Sequence, residues 1–150
     1  MLAVDVMRTS FASIRPTANV LDAVNLLLET NQRGLPVVND DGNLVGIVSE
    51  RDFLHRDELG ISPRAGNWLE ALLHFDRTGP ERARMRAMRV DVIMSPVPVT
   101  VDIDATLDEV VAQMDNHNIS QVPVVSAETV VGIVSRREVL AALASRLAIG

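Results

Sequence analysis

Two short motifs carry the side chains that are best suited to hold a small polar ligand. Ser49 precedes Asp52 by three residues, and Ser135 precedes Glu138 by the same spacing. Each serine ends an apolar stretch, so a helix that begins there would offer unpaired amides and a partial positive charge to a phosphate. A carboxylate one turn inside such a helix can accept hydrogen bonds from sugar hydroxyls. The same spacing also forms a capping box, so helix capping is the competing interpretation of both motifs.

Patterns typical of catalysis and of metal binding are missing from the sequence. There is no cysteine, and the histidines (His55, His74 and His117) lack the spacing of metal ligands. We find no nucleophile–base pair and no glycine-rich phosphate loop, and we therefore expect no enzyme and no bound metal. All 14 basic residues are arginines, whose forked donors suit phosphate groups.

Size and composition predict a soluble globular protein. The chain has 150 residues, of which 47% are hydrophobic, and this content is ample for a buried core. No apolar run is long enough to span a bilayer and no signal-peptide layout is present, so we expect a cytoplasmic protein without a membrane partner. The net charge of −6 argues against general nucleic-acid binding.

Both motifs lie inside two copies of a longer repeat. Pro36 and Pro123 occupy matching positions 87 residues apart, and Ser49 and Ser135 lie 86 residues apart because one turn residue is lost. A repeat at a fixed offset predicts two similar units, each too small to bury a stable core alone. We therefore expect the units to pack about a pseudo-twofold axis, with two equivalent clefts between them.

Each unit is predicted to fold as strand, helix, strand, strand, helix after a short lead-in helix. The lead-in helices fall within residues 3–10 and 90–97, and short strands are expected at 11–14 and 98–101. The following pair of strands forms a hairpin, and the last helix of each unit begins at its serine motif.

The first long helix of each unit has clear start and stop signals. Thr106 opens a capping box in the second unit, and the equivalent helix of the first unit runs from Asn19 to about Glu29. Asn31 and Asn118 stand where a helix ends in a left-handed residue. The apolar faces of the two helices are predicted to consist of Val20, Ala23, Val24, Leu27 and Leu28, and of Leu107, Val110, Val111 and Met114.

Residues 55–89 belong to neither repeat and are predicted to form an inserted helical connector between the first repeat (1–54) and the second (90–150). An apolar stripe within it could pack on its own module or on a dimer mate, or could bind a partner; it consists of Trp68, Leu72 and Phe75. An arginine face could be solvated or ion-paired, or could contact a triphosphate or a partner; it consists of Arg82, Arg86 and Arg89. The arginines lie on a helix predicted after Pro80, and another face of this helix consists of Met85, Met88 and Val92.

Together these motifs resemble the cystathionine-beta-synthase (CBS) domain pair. The resemblance rests on an Asp-Val lead-in followed by a methionine (Asp5-Val6-Met7 and Asp91-Val92-Ile93-Met94), the Pro-Val-Val strand and the Gly-Ile-Val-Ser turn into a helix, which occur twice across roughly residues 3–54 and 90–143. It implies an α+β fold of tandem CBS repeats packed about a pseudo-twofold axis. It also implies a regulatory module without catalysis of its own, which binds an adenosine-containing ligand between its repeats.

The resemblance further implies which residues line each cleft. In the family an aspartate holds the ribose, and Asp52 stands at that position, whereas Glu138 replaces it in the second repeat, where weaker binding is expected. The first cleft is expected to comprise Gly46, Ser49, Arg51, Asp52, Val99, Thr100, Ile119, Gln121 and Pro123. The second cleft is expected to comprise Ala12, Ser13, Gln32, Gly34, Pro36, Ser135, Arg137 and Glu138.

Two of these expectations have a stated physical reason. Gly46 would let a ligand approach the backbone closely, because it has no side chain. The backbone groups of a strand could supply the one or two hydrogen bonds that the edge of an adenine needs.

The implied function is a sensor of AMP, ADP or ATP, with S-adenosylmethionine or NAD as other ligands and no required cofactor. Ligand binding would shift the relative angle of the repeats or of the subunits. A homodimer and an unidentified regulated protein are the implied partners. The alternative is a scaffold for dimerisation or protein interaction that needs no ligand.

Overall fold

The computed structural model describes residues 1–54 and 80–149. The elements in chain order are α1 (Ala3–Val6), α2 (Val20–Thr30), β1 (Gly34–Val38), β2 (Leu44–Ser49), α3 (Glu50–Leu54), α4 (Pro80–Ala87), α5 (Val90–Ile93), β3 (Val101–Asp102), α6 (Leu107–Asn116), β4 (Gln121–Ser126), β5 (Thr129–Ser135) and α7 (Arg136–Ile149). The predicted mixed α+β architecture with two repeats is confirmed. No helix in the described part of the chain is long and apolar enough to cross a membrane.

Each unit is built on one antiparallel hairpin. In the first unit β1 pairs with β2, and in the second β4 pairs with β5. Both hairpins have an irregular step in their register at the same place, after Val37 in the first and after Val124 in the second. The duplication therefore extends from the sequence to the details of strand pairing.

The short strands expected before the helices are smaller than predicted. β3 begins only at Val101, which pairs in parallel with Val124. In the first unit a single residue, Ile14, forms the equivalent parallel bridge, to Val37. The strand predicted at 11–14 is therefore wrong in its extent. The next bond of a parallel pairing would need the N–H of residue 16, and Pro16 has none.

The predicted helix caps are confirmed. At the start of α2, the Asn19 side chain accepts a backbone N–H of the first turn at 2.8 Å. At the start of α6, Thr106 and Glu109 exchange two hydrogen bonds of 3.1 Å, which is a complete capping box. Asn31 and Asn118 have φ angles of 55° and 51°, in the left-handed region that asparagine tolerates.

The helix faces agree with the predicted stripes except at two positions. Leu28 is 68% exposed and Val111 is 38% exposed, so their assignment to the core is wrong. In α2 the burial is shifted toward the helix start, where Leu21 is buried instead. A periodicity read over two turns locates the centre of an apolar face but not its edge, which depends on what packs beside it.

The lead-in helix of the first repeat packs on the second unit. Ala3 is fully buried among residues of the second core and donates its N–H to Ala105 O at 2.8 Å. Further along, Arg8 and Ile133 of β5 exchange backbone hydrogen bonds of 2.8 and 3.0 Å. Residues 1–8 therefore extend the hairpin of the opposite unit.

The lead-in helix of the second repeat makes the reciprocal contacts. Val90 of α5 is fully buried in the first core and donates to Ala18 O at 2.8 Å. Ser95 and Ile47 of β2 then exchange hydrogen bonds of 2.8 and 3.1 Å. Each hydrophobic core is thus completed by residues from the other repeat. The boundaries at 54 and 89 stay predictions, but neither core is built from one repeat alone.

A methionine of each lead-in segment lies against a glycine of the opposite hairpin. A Cβ atom placed on Gly46 would lie 2.5 Å from Met94 Sδ and 2.9 Å from Ser95 O. A Cβ atom on Gly132 would lie 2.7 Å from Met7 Cγ. These glycines therefore make room for the exchanged segments. The expectation that Gly46 admits a ligand is wrong, because Met94 fills that space.

The two units also meet directly on the pseudo-twofold axis. Asn43 and Thr129, which are equivalent residues of the two hairpins, form an antiparallel bridge with each other. Beside this bridge, Leu44 N–H donates to Glu128 O at 3.0 Å. Equivalent residues can pair with each other only where a twofold axis passes between them.

The end of the connector belongs to the first core. α4 packs on α2, and Met85 is only 2% exposed, with Met88 packed against the same core. Val92, which was predicted on that face, is 58% exposed.

On the arginine face, Arg86 is exposed and Arg89 forms an ion pair with Asp91 at 2.7 Å, which supports the solvated or ion-paired interpretation. The Arg82 side chain and the stripe of Trp68, Leu72 and Phe75 lie outside the part that the structure describes.

The methionine–glycine contacts predict a specific sensitivity to small side chains. Gly46→Ala is expected to lower the free energy of unfolding by about 1–3 kcal/mol, because the new methyl group would overlap a backbone oxygen as well as Met94. Gly34→Ala is the matched control: the nearest atom to its Cβ would be Val48 O at 3.4 Å. Its effect is expected to stay below about 1 kcal/mol. Urea denaturation measures both, and equal losses would contradict the prediction.

Candidate functional site

Ser49 and Asp52 lie where β2 gives way to α3. Ser49 N–H donates to Asp52 Oδ2 at 2.8 Å, and the Ser49 hydroxyl faces the same oxygen at 3.3 Å. Asp52 is only 8% exposed. A buried carboxylate is costly unless it accepts hydrogen bonds, so these donors hold the Asp52 side chain in one position. The motif therefore does cap α3, and the cap fixes the carboxylate at the start of the helix.

The second motif has the same arrangement with a longer side chain. Ser135 N–H donates to Glu138 Oε1 at 2.8 Å, and the Ser135 hydroxyl donates to the same oxygen at 2.7 Å. Glu138 is half-buried, whereas Asp52 is buried. Each serine hydroxyl contacts the carboxylate three residues further along the chain, and the distance is shorter for Ser135 and Glu138 than for Ser49 and Asp52.

Gly34 and Gln121 bring the two motifs to the seam between the units. Gly34 pairs with Ser49 in the first hairpin, and the equivalent Gln121 pairs with Ser135 in the second. Gln121 Nε2 donates to Gly34 O at 2.9 Å, and Arg33 N–H donates to Gln121 Oε1 at 3.4 Å. Ser49 precedes α3 and Ser135 precedes α7. Each of these serines therefore pairs with a strand residue, Gly34 or Gln121, that is hydrogen-bonded to the other unit.

The remaining first-cleft residues lie on a segment that crosses from one unit to the other and on β4. Ser95 pairs with β2 of the first unit, and Val101 pairs with β4 of the second, so Val99 and Thr100 lie on the path between the units. Val99, Thr100 and Ile119 are half-buried. Pro123 is buried within β4.

The second cleft has the equivalent crossing segment. Arg8 pairs with β5 and Ile14 with β1, and Ala12 and Ser13 lie between them. Ala12 is half-buried and Ser13 is exposed, while Pro36 is buried within β1. Gln32 is 3% exposed, and its side chain hydrogen-bonds to the backbone of Ala12 and Gly34.

The two predicted arginines lie at the surface. Arg51 in α3 and Arg137 in α7 are both exposed, in the first turns of their helices. An arginine near a helix start opposes the helix dipole, so a phosphate would be a favourable partner for either side chain. Across residues 1–54 and 80–149 there is no group of three or more His, Cys, Asp or Glu residues that could hold a metal ion.

Comparison with known proteins assigns the chain to a family. The model of the CBS domain matches twice, at residues 3–58 and 89–145. The chain belongs to the CBS domain family. The matched ranges contain both serine motifs and both lead-in helices, so the family match and the internal repeat describe the same two units.

Several relatives of this CBS domain pair are known by sequence. It is 29% identical over 143 residues to the chloroplastic CBS domain-containing protein CBSX2 of Arabidopsis thaliana, and 28% identical over 135 residues to CBSX1 of the same plant. The matches cover 90% and 86% of this chain, and the chain spans 59% and 57% of those relatives. It is also 30% identical over 118 residues to protein YlbB of Bacillus subtilis, covering 78% of this chain and 65% of YlbB.

Solved structures agree with the fold. A crystal structure of CBSX2 from Arabidopsis thaliana superimposes with a TM-score of 0.79 at 26% identity, covering 98% of this chain and 96% of that one. A second structure, of CBSX2 in complex with AMP, has a TM-score of 0.72 at 28% identity and covers 96% of each chain. The tandem CBS fold predicted from the repeats is therefore confirmed.

The structure adds contacts that the sequence motifs did not reveal. Arg33 O, just before β1, accepts the N–H of Glu50 at the start of α3, and Ser120 O, just before β4, accepts the N–H of Arg136 at the start of α7. The buried amide of Gln32 was predicted as a cleft wall, but its bonds to Ala12 were not foreseen. The residues of the methionine–glycine contacts are repeated in the sequence, as Met7 and Met94 and as Gly46 and Gly132, but nothing in the sequence indicated that they contact each other.

The cap at Asp52 predicts a stability cost that is separate from any ligand. Asp52→Ala is expected to lower the free energy of unfolding by about 0.5–2 kcal/mol, because the Ser49 N–H loses its acceptor. The neighbouring Glu50→Ala is the control: Glu50 is exposed and forms a long surface ion pair with Arg33, at 3.8 Å. Its effect is expected to be within about 0.5 kcal/mol. Denaturant titration measures the free energy of unfolding of both variants. Equal values for Asp52→Ala and Glu50→Ala would contradict the role of Asp52 in the cap.

Proposed function

We propose that this CBS domain pair is a regulatory module that binds an adenine nucleotide in its first cleft. The observation that carries the proposal is the buried Asp52 carboxylate, fixed at the start of α3 by Ser49, where the seam between the units begins. Further support comes from CBSX2, which was crystallised with AMP and matches 96% of this chain at 28% identity.

The residues of the first cleft suit the three parts of a nucleotide. A carboxylate has several lone-pair sites and can accept ribose hydroxyls in addition to its cap. Val99 and Ile119 offer apolar surface to a purine, and the crossing segment offers backbone groups to its edge. The phosphates would lie toward the exposed Arg51. We expect AMP, ADP or ATP, and we include S-adenosylmethionine and NAD as other ligands to test.

Regulation would follow from the position of the ligand between two units. A ligand that contacts both units favours the relative angle of the units at which those contacts are best. It shifts the equilibrium only by its difference in affinity for the two arrangements. We propose that the shift is read by a separate partner protein, and that the module itself has no catalytic activity.

We also propose a homodimer, for which α7 provides support. Leu140, Leu143 and Leu147 recur at helical spacing and are 65%, 44% and 81% exposed. Apolar side chains that form a stripe on an exposed helix mark an interaction surface more often than isolated ones do. This stripe is also the feature that supports the alternative function, a scaffold that acts without a ligand.

Calorimetric titration tests nucleotide binding at Asp52. Asp52→Ala is expected to weaken AMP binding by about tenfold to a hundredfold, because hydrogen bonds to a charged group are lost. Glu138→Ala removes the equivalent carboxylate of the weaker cleft and is expected to leave the affinity of the tight site unchanged. Unaltered AMP affinity in Asp52→Ala would contradict the site assignment.

A thermal-shift panel separates the sensor from the scaffold. A ligand at 100 times its dissociation constant should stabilise the folded protein by about 2.7 kcal/mol. AMP, ADP, ATP, NAD and S-adenosylmethionine form the panel, with guanosine monophosphate as the control for base selectivity. If none of them stabilises the protein, the scaffold becomes the better proposal.

Sedimentation equilibrium tests the dimer. Leu147→Glu is expected to raise the dimer dissociation constant at least tenfold, because a charge would be buried in the interface. Val97→Glu is the control: Val97 is 86% exposed, but it lies in the crossing segment and not on α7. A wild-type protein that stays monomeric at micromolar concentration would contradict the dimer.

A further inference from the structure

Building on the function proposed above, we infer that the second cleft is closed to adenine by the chain's own Gln32. The Gln32 amide occupies the backbone edge at Ala12 that an adenine base would use in that cleft. The module would then bind one nucleotide per chain, in the first cleft, and Gln32 would be the residue that sets this number.

The Gln32 amide is paired with both backbone groups of a single residue. Ala12 N–H donates to Gln32 Oε1 at 2.6 Å, and Gln32 Nε2 donates back to Ala12 O at 3.1 Å. The second hydrogen of the same nitrogen reaches Gly34 O at 3.0 Å. Gln32 is 3% exposed, so its polar atoms are buried and their hydrogen-bonding capacity is used. A ligand would have to break all three bonds to reach Ala12.

A glutamine amide and an adenine base present the same pattern of donor and acceptor. Adenine has an amino donor beside a ring-nitrogen acceptor, and a primary amide has an NH₂ donor beside a carbonyl acceptor. Either group can therefore satisfy an adjacent backbone N–H and C=O at the same time. In the second cleft, this role is already filled by a side chain of the protein.

The first cleft lacks this internal substitute. The residue 87 positions after Gln32 is Ile119, and the residue 87 positions after Ala12 is Val99. An isoleucine side chain cannot hydrogen-bond, and in the described part of the chain no group bonds to the backbone N–H or C=O of Val99. The edge that is closed in the second cleft is therefore open in the first.

A second difference between the clefts must be separated from this one. Glu138 replaces the aspartate of the first motif, and Ser135 directs both its N–H and its hydroxyl to one Glu138 oxygen. The longer side chain could weaken ribose binding by itself. A test of Gln32 therefore has to be made in a chain that carries an aspartate in both motifs.

Calorimetric titration with AMP provides that test in three proteins. Wild type and Glu138→Asp are each expected to bind one AMP per chain, because Gln32 blocks the second cleft in both. The double variant Gln32→Ile/Glu138→Asp is expected to bind two. A stoichiometry of two for wild type or for Glu138→Asp would overturn the inference, and so would a stoichiometry of one for the double variant.

The reciprocal exchange tests the same chemistry in the first cleft. Ile119→Gln is expected to reduce AMP affinity at least tenfold, because the new amide can pair with the Val99 backbone. Ile119→Leu, which has no amide, measures the effect of changing the apolar side chain alone, and Ile119→Gln is expected to bind AMP at least tenfold more weakly than Ile119→Leu. Circular dichroism and thermal unfolding confirm that each variant is folded. Equal affinities for Ile119→Gln and Ile119→Leu would overturn the inference.

The two proposals fail in different ways. If neither wild type nor the double variant binds AMP, the proposed function is wrong and the inference falls with it. If wild type binds AMP through Asp52 but the stoichiometries do not follow residue 32, only the role of Gln32 is wrong. Amide resonances in NMR give an independent readout: AMP should shift that of Val99 in wild type, and that of Ala12 only in the double variant.

Discussion

The exchange of lead-in segments between the two units is the constraint on which the rest of this structure depends. Residues 1–8 complete the second hairpin and residues 90–95 complete the first, through paired backbone hydrogen bonds to Ile133 and Ile47. A unit of this size buries too little apolar surface to be stable alone. Because each core takes residues from the other repeat, the two units must fold together. The seam between them therefore forms whenever the chain folds.

The same exchange creates the candidate ligand sites. Each segment that crosses between the units starts beside a strand that ends at a serine motif, because Ser95 pairs with Ile47 of β2 and Arg8 pairs with Ile133 of β5. The carboxylate that caps the helix is also the group suited to a ribose, and the two roles do not conflict. A cap holds the carboxylate in position before a ligand arrives, which reduces the conformational entropy lost on binding. In the proposed function, the capping box and the ligand site would therefore be formed by the same residues.

The two units share a backbone arrangement but differ at residues of the two candidate clefts. The backbone is closely repeated, down to the irregular step in each hairpin and the asparagine after each long helix. Three of the differences at equivalent cleft positions are Asp52 and Glu138, Gln32 and Ile119, and Gly34 and Gln121. The last two residues contact each other across the seam. In a two-state regulator, a single working site is enough to shift the balance between arrangements, provided that its affinity differs between them.

Much of the architecture could be predicted from sequence because its signals are local. The capping box at Thr106, the left-handed asparagines and the hairpins all depend on residues a few positions apart, and the repeat is visible because such local motifs recur at a fixed offset. The exposure of Leu28 and Val111 and the shortened strand near Ile14 were not predicted. The first two depend on packing partners distant in sequence, and the third on a missing N–H at Pro16 that mattered only once the parallel pairing was known.

The position of each repeated segment relative to the other repeat follows from the folded chain alone. The amino-acid sequence indicates that there are two alike units, where their helices begin and end, and which serine motifs stand at the helix starts. It did not determine that each lead-in packs on the opposite unit, that Met94 fills the space at Gly46, or that Gln32 pairs with Ala12. The physical reason is that these contacts join residues 20 or more positions apart. No local pattern of hydrophobicity or capping encodes contacts across such separations.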